Sequence, residues 1–469
     1  MPEEHPSWIA LVTALYLAEY SLYSNSSSSV LVSSSIAGDF HMTFLTASFV
    51  GVAFLIGFCS SIVPVSIVSG RWSPTYVFLW SSVVSVVLGV LAACSPSFVF
   101  LIVVRFLQGV ASAVLSPQIF AIMRERFRAE NQSRVLGMWG LAVSLSALCS
   151  PLVVSTLNDT WGWRSFPLDT TILGTISIGL LLWANRTESA EALSSKRPAF
   201  SDFGSHQQRR QVIALGALAL FPVLIFASSV WVRHESGRMA VVCVTSVLVC
   251  LIVATLGALG SKEADGARNE FSPLLSQSLL VLFVASIGTN AYTLAVIYFL
   301  QQIKLMNSYQ SALYLAPMAL LAGLLPILRL GRPGSDRKNT GLVLLGCISF
   351  VLSGVTLALA EAAGAAILTS VVLMGCAMGF QWSSLAAIVV RNSSLVRLGS
   401  GAYNYLRALG GAIGFGAAPV LISPSVPHSR FFFVFGILLS LVGVSGGVLA
   451  AAARRGAVHL LSSKVGIDD

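Results

Sequence analysis

Charge is scarce in this chain. Only 10% of its 469 residues are Asp, Glu, Lys or Arg, and 19 are acidic; a soluble domain carries roughly 25% charged residues. So little charge excludes a water-facing surface for most of the chain. Histidine is rarer still, at 6. The 7 cysteines all lie in apolar runs, with no Cys-x-x-Cys pair and no Cys/His cluster, so neither disulfides nor a metal site is expected. No Gly-Lys-Ser/Thr phosphate loop is present, which removes ATP as an energy source. No His/Cys/Asp catalytic cluster is apparent, so an enzyme is not expected and no cofactor is implied. The first eight residues hold Glu3 and Glu4 and no Lys or Arg, so no cleavable leader is expected.

What is present is apolar residue in long stretches. The hydrophobic fraction is 55% and the mean hydropathy +0.83. A bilayer span needs ~20 mostly apolar residues at 1.5 Å each. Backbone polar groups must pair internally in lipid, so spans are helices or closed barrels. Barrel-type alternation is absent. Continuous runs fall near 8–36, 44–69, 75–94, 97–123, 135–157, 165–184, 211–232, 239–260, 274–302, 310–329, 340–360, 363–390, 399–422 and 430–453. The expected architecture is an all-α integral membrane protein with fourteen spans.

With the N-terminus in the cytoplasm, 21 Lys and Arg fall on the cytoplasmic side and 5 outside; Arg105 and Arg407 lie within runs. That bias supports both cytoplasmic termini and an even number of spans in the inner or plasma membrane. It also accounts for the net charge of +9 without nucleic acid. Polar stretches then divide the chain. A six-helix bundle covers 1–184, a cytoplasmic linker 185–210 and two additional helices 211–260. A second linker covers 261–273, a second six-helix bundle 274–453 and a cytoplasmic tail 454–469. Two six-helix halves around a central cavity is a known transporter plan.

Four motifs carry a resemblance. The fourth run contains Arg105 followed by Gln108-Gly109 and small residues. Trp161-Gly162-Trp163-Arg164 follows the fifth. Tyr298, Gln301 and Gln302 precede Ser308-Tyr309 and Ala316-Pro317. Arg407 precedes Gly410, Gly411 and Gly414 in the thirteenth run. Taken together and in this order, they resemble the major facilitator superfamily in its 14-helix drug:proton antiporter branch. The chain also departs from that pattern. Gly70-Arg71-Trp72-Ser73 lacks the acid of the family's loop between helices two and three. The Gly-Pro motif of helix five keeps Gly137 and Pro151 but has Ser146, Ser150, Val154 and Ser155 where glycines are usual. Asn25 stands where helix one usually carries an acid. The resemblance implies conformational and packing roles for Arg71, Gly109, Gly137, Pro151, Arg407, Gly410, Gly411 and Gly414. Those glycines suit close helix contact.

Ionisable groups at mid-membrane cost on the order of 2.5–3.5 kcal/mol each, so they point to function. Glu19 sits eleven residues past Trp8, ~16 Å deep; Arg105 lies eight past Ser97, ~12 Å from the other face. In a core ~30 Å thick these are similar depths. Glu19 and Arg105 are expected to interact, with Glu19 carrying a coupling proton or serving in a static ion pair. Asp169 is either a second proton or substrate site or an ordinary helix-end carboxylate. Candidate substrate contacts are Tyr16, Tyr20, Tyr23, Asn25, Gln108, Trp139, Asn290, Tyr298, Gln301, Gln381, Trp382, Tyr403 and Asn404. The serines around Asn25 either line a wet vestibule or mark a loose helix end.

The expected function is secondary active transport: proton-coupled export of amphipathic small molecules by a monomer in contact with membrane lipid. Carriage of an endogenous metabolite or lipid is the alternative. A non-transporting sensor or scaffold is the second, suggested by the altered motifs.

Overall fold

A computed structural model describes residues 6–68, 72–126, 129–186, 273–328, 336–359, 364–392, 396–421 and 428–465. All regular secondary structure among the described residues is helical. Seven helices precede residue 187: α1 (Pro6–Ser27), α2 (Ser33–Asp39), α3 (Phe44–Val68), α4 (Pro74–Ala93), α5 (Phe98–Arg126), α6 (Ala129–Trp161) and α7 (Ser165–Arg186). Six follow residue 272: α8 (Pro273–Tyr298), α9 (Ser308–Ile327), α10 (Asp336–Ala358), α11 (Gly364–Asn392), α12 (Val396–Leu421) and α13 (His428–Val465). A π-helical turn, Phe299–Ile303, closes α8.

Twelve of the fourteen expected runs therefore coincide with described helices. The runs 211–232 and 239–260 and nearly all of both linkers lie outside the described residues, as do the last four residues of the tail; the rest of the tail continues α13. The first run is corrected. It is not one helix to residue 36: α1 stops at Ser27, the chain turns, and α2 begins at Ser33. Six serines between positions 24 and 33 compete for backbone hydrogen bonds and favour turns over helix interior.

Eight of the described helices are long and apolar enough to cross a membrane. Their exposed faces match their interiors in character. On α4 the exposed large residues include Tyr76, Trp80, Val84, Val87 and Leu91, while Ser81 and Ser82 are buried. On α10 the outer stripe includes Leu345, Ile348, Leu352, Val355 and Leu359. Apolar outer stripes with serines inside reverse the pattern of a soluble helix, so these stripes face lipid. The protein is a multi-pass membrane protein.

The chain divides into two compact units, Met1–Phe226 with Leu300–Ala312, and Ala227–Phe299 with Leu313–Asp469. In the first, α5 packs on α3 and α4, α7 on α4 and α1, and α1 on α6. Gly57 and Gly109 make the α3–α5 crossing possible: a Cβ on Gly57 would collide with the Phe106 carbonyl, and one on Gly109 with the Phe54 carbonyl. The segment Leu300–Ala312 groups with this unit through specific bonds. Gln301 Nε2 and Ser308 Oγ both donate to the Leu31 carbonyl, at 2.9 and 3.0 Å. Asn158 Nδ2 donates to Ser308 Oγ at 2.9 Å. The Asp159 carboxylate accepts the first backbone N–H groups of α9, from Ser308 at 3.3 Å and Tyr309 at 3.0 Å. Those N–H groups have no partner within their own helix.

In the second unit α10 packs on α11 and α13, and α8 packs on α12, α13 and α11. Gly410 and Gly414 let α12 approach α8; a Cβ on Gly410 would stand 2.7 Å from the Phe283 carbonyl.

Candidate functional site

The centre of the first unit is polar where its surroundings are apolar. Arg105, on α5, is fully buried. Its Nη1 donates to Asn25 Oδ1 and, at 2.8 Å, to Gln108 Oε1; its Nη2 donates to the Asn25 backbone carbonyl at 2.7 Å. The Phe54 and Phe166 rings lie 4.9 and 5.0 Å from the guanidinium carbon, within cation–π range.

None of these partners is a carboxylate, so the expected Glu19–Arg105 pair is not formed. Glu19 is buried on α1, six residues before Asn25. At 1.5 Å and 100° per residue that separates the two by ~9 Å along the helix and ~120° around it. Arg105 is level with Asn25 and not with Glu19, so equal distances along the two apolar runs are not equal depths.

The choice of partner explains how α1 ends. The last four carbonyls of a helix have no intrahelical donor. Ser28 N still reaches Ser24 O at 3.1 Å, but helix α1 stops at Ser27, and the Asn25 carbonyl receives Arg105 instead. A cation at a helix C-terminus also meets the negative end of the helix dipole. The dipole of α1 and five acceptor and ring contacts thus stand in for a counter-ion.

Beside this clamp a polar cavity of about 20 Å³ is lined by Ser21, Asn25, Ser82, Ser85, Ser112 and Gly174, among others. The Ser82 hydroxyl is buried without a hydrogen-bond partner among the described residues. A polar cavity of this size accommodates one water.

A second polar group joins α1, α6 and α7. Ser24 Oγ donates to Asp169 Oδ2 at 3.3 Å. Ser150 Oγ donates to Ser24 Oγ at 2.6 Å, and Ser28 and Ser150 share a bond of 2.7 Å. Ser24, Ser28 and Ser150 are fully buried and Asp169 is half-buried. Tyr20 lies close to Asp169, Cys149 and Ser150. Pro151 follows Ser150 inside α6, where its missing N–H loosens the local ladder.

The remaining candidates divide by partner. Asn25 and Gln108 are committed to Arg105, and Gln301 to the Leu31 carbonyl. Asn290 bonds back to Ser286 O at 2.8 Å. Gln381 donates to Cys347 Sγ at 3.3 Å. Tyr403 donates to the Trp382 carbonyl at 3.2 Å, and Arg407 lies 5.8 Å from the Trp382 ring centre. Tyr23 is buried; Tyr16, Tyr298 and Asn404 are half-buried. Arg71 and the surroundings of Gly137 and Trp139 lie outside the described residues. Sequence reasoning passed over Ser24, Ser28 and Ser150 as a connected set, and Asn158 and Asp159 altogether.

Comparison with known proteins agrees with this architecture. The Major Facilitator Superfamily model matches residues 15–415. An uncharacterised MFS-type transporter of Mycobacterium tuberculosis is 24% identical over 425 residues, 87% of this chain and 69% of its own. A multidrug resistance protein B homolog of the same organism is 23% identical over 406 residues, covering 84% and 72%. The multidrug export protein EmrB of Escherichia coli is 23% identical over 167 residues, 35% and 33% of the two chains. The crystal structure of a peptide transporter, POT, superposes with a TM-score of 0.69 at 13% identity over 97% of this chain and 96% of that one, a likeness of fold. By the match across most of its length, the chain belongs to the Major Facilitator Superfamily.

Proposed function

We propose that the protein is a proton-coupled exporter of amphipathic small molecules, working by alternating access in the inner or plasma membrane. The observation that carries this reading is the set of ionisable side chains inside a membrane-spanning unit: Glu19 and Arg105 buried and Asp169 half-buried. Such groups are costly in a membrane and mark ion pathways. Glu19 and Asp169 are the proposed proton carriers and Arg105 the fixed charge between their helices. Relatives named for multidrug export favour a drug or natural product over a metabolite or lipid. Aromatic side chains with few charges suit neutral or weakly charged substrates; Tyr16, Tyr20, Tyr23, Tyr298, Trp382 and Tyr403 are the proposed contacts. Fourteen spans, cytoplasmic termini and a monomeric state complete the reading.

Purified protein in proteoliposomes, given an imposed pH gradient and a panel of amphipathic dyes, tests it. Gradient-dependent dye movement is expected, reduced in Glu19→Gln. Movement indifferent to the gradient in the wild type rejects proton coupling.

A further inference from the structure

With Asp169 ionised, and so an acceptor only, the bonds around it have one sense. A serine hydroxyl has one proton to donate and lone pairs to accept. Ser24 gives its proton to Asp169 and accepts from Ser150. Ser150 has then spent its only proton, so in the bond of 2.7 Å with Ser28, Ser28 must be the donor. The order is Ser28 to Ser150 to Ser24 to Asp169, every step pointing at the carboxylate.

We infer that Ser28, Ser150, Ser24 and Asp169 form a single proton-binding unit, in which uptake of a proton by Asp169 reverses all three hydroxyls. This deepens the proton-coupled reading above and rests on it for its role in transport. The balance is simple. A proton from water binds the Asp169 carboxylate, forming one O–H bond and leaving the carboxylic acid. No serine changes charge. The acid O–H then donates to Ser24, Ser24 rotates to donate to Ser150, and Ser150 to Ser28. The Ser28 hydroxyl loses its acceptor and must find another. Ser28 opens the turn that joins α1 to α2, and that turn carries the Leu31 carbonyl to which Gln301 and Ser308 are bonded. Protonation at α7 is thereby delivered, through three hydroxyls, to the end of α1.

Few other ionisable groups face the carboxyl. On α1 the near one is Tyr20, with Glu19 five residues before Ser24 and about 140° around the helix from it; on α6 it is Cys149. Asp159 of α6 is taken up by the Ser308 and Tyr309 amides. Helix α4 has no Asp, Glu, Lys, Arg or His, and its Tyr76 is exposed.

Infrared titration of the carboxyl stretch in the full-length protein tests the unit directly. Wild type, Asp169→Asn, Ser150→Ala and Ser150→Thr are compared, each checked for unchanged melting. Asp169→Asn is expected to remove one titrating carboxyl band. Ser150→Ala does not touch the carboxyl, yet is expected to change the proton affinity of that band on the order of fivefold, one hydrogen bond's worth. Ser150→Thr, which keeps the hydroxyl, restores it. A band set unaltered by Asp169→Asn, or the same affinity in Ser150→Ala as in wild type, overturns the inference. The same proteins are then placed in proteoliposomes under a pH gradient. Gradient-driven transport impaired in Ser150→Ala and rescued in Ser150→Thr ties the unit to coupling. Absence of gradient-driven transport in the wild type, with the band behaviour as expected, rejects the transport reading alone.

Discussion

Arg105 holds Asn25 at two points: one guanidinium nitrogen reaches the side-chain oxygen, the other the backbone carbonyl at 2.7 Å. The arginine thereby fixes both the side chain and the last helical turn of α1. A planar fork with several donors meets two acceptors at once; an ammonium is a point charge with no such geometry.

Arg105→Lys is therefore expected to behave as a loss of function and not as a conservative change. Asn25→Ala removes the side-chain acceptor, together with the Nδ2 bond to the Ser21 carbonyl at 3.0 Å, but leaves the backbone acceptor; it is expected to cost about 1.5–3 kcal/mol, the range for a hydrogen bond to a charged group. Arg105→Ala leaves the α1 carbonyl and Gln108 without their donor and should cost more than Asn25→Ala. Thermal melting of the purified variants in one detergent ranks them. Equal melting of Asn25→Ala and wild type would show that the clamp does not support the helix end.

The second unit offers a matched pair of glycines on α12. A methyl group at Gly410 meets the Phe283 carbonyl at 2.7 Å and Ser286 Cβ at 2.8 Å, whereas one at Gly416 meets nothing within 4 Å. Gly410→Ala is expected to destabilise by about 1–3 kcal/mol through overpacking. Gly416→Ala is expected to be neutral, or to stabilise by roughly 0.5–1 kcal/mol from helix propensity. The comparison needs only melting curves of the two variants. A Gly410→Ala protein that melts with the wild type would mean that α8 and α12 separate without cost.

These sites differ in how far the sequence reveals them. Span positions are legible because twenty apolar residues in a row have few other uses. A close helix contact through α12 is suggested by glycines at a helical repeat, but nothing in the sequence names α8 as the partner. The partner of Arg105 is not legible either: equal distance from assumed membrane faces pointed to Glu19, and a few residues of offset selects Asn25. The serine chain is less legible still. Serine is common throughout these spans, and the bonds linking positions 28, 150, 24 and 169 join helices more than a hundred residues apart. Asp159 reads as an ordinary helix-end carboxylate, and nothing in the sequence marks it as the acceptor of the Ser308 and Tyr309 amides.

Outside the spanning helices, Asp39 at the end of α2 gives a pH-dependent contact. Its carboxylate accepts the Trp163 indole N–H at 2.9 Å and pairs with Arg164, whose guanidinium carbon lies 4.5 Å from the Trp163 ring centre. Gly162, at φ 79°, supplies the left-handed turn that brings these side chains back onto α2. The Trp163 hydrogen bond, then that of Arg164, holds the Asp39 carboxyl below its ordinary value. A carboxyl lowered in the folded state contributes stability that is fully present above its unfolded pKa, about 3.9. That contribution is lost as pH falls through the lower folded value. Trp163 fluorescence is thus expected to hold steady above pH ~4 and to change below it. Asp39→Asn keeps an acceptor for the indole but removes the titration, so its Trp163 signal should be flat across the same range. A wild-type signal equally flat, or a transition that survives in Asp39→Asn, would place the acid sensitivity of this loop in another group.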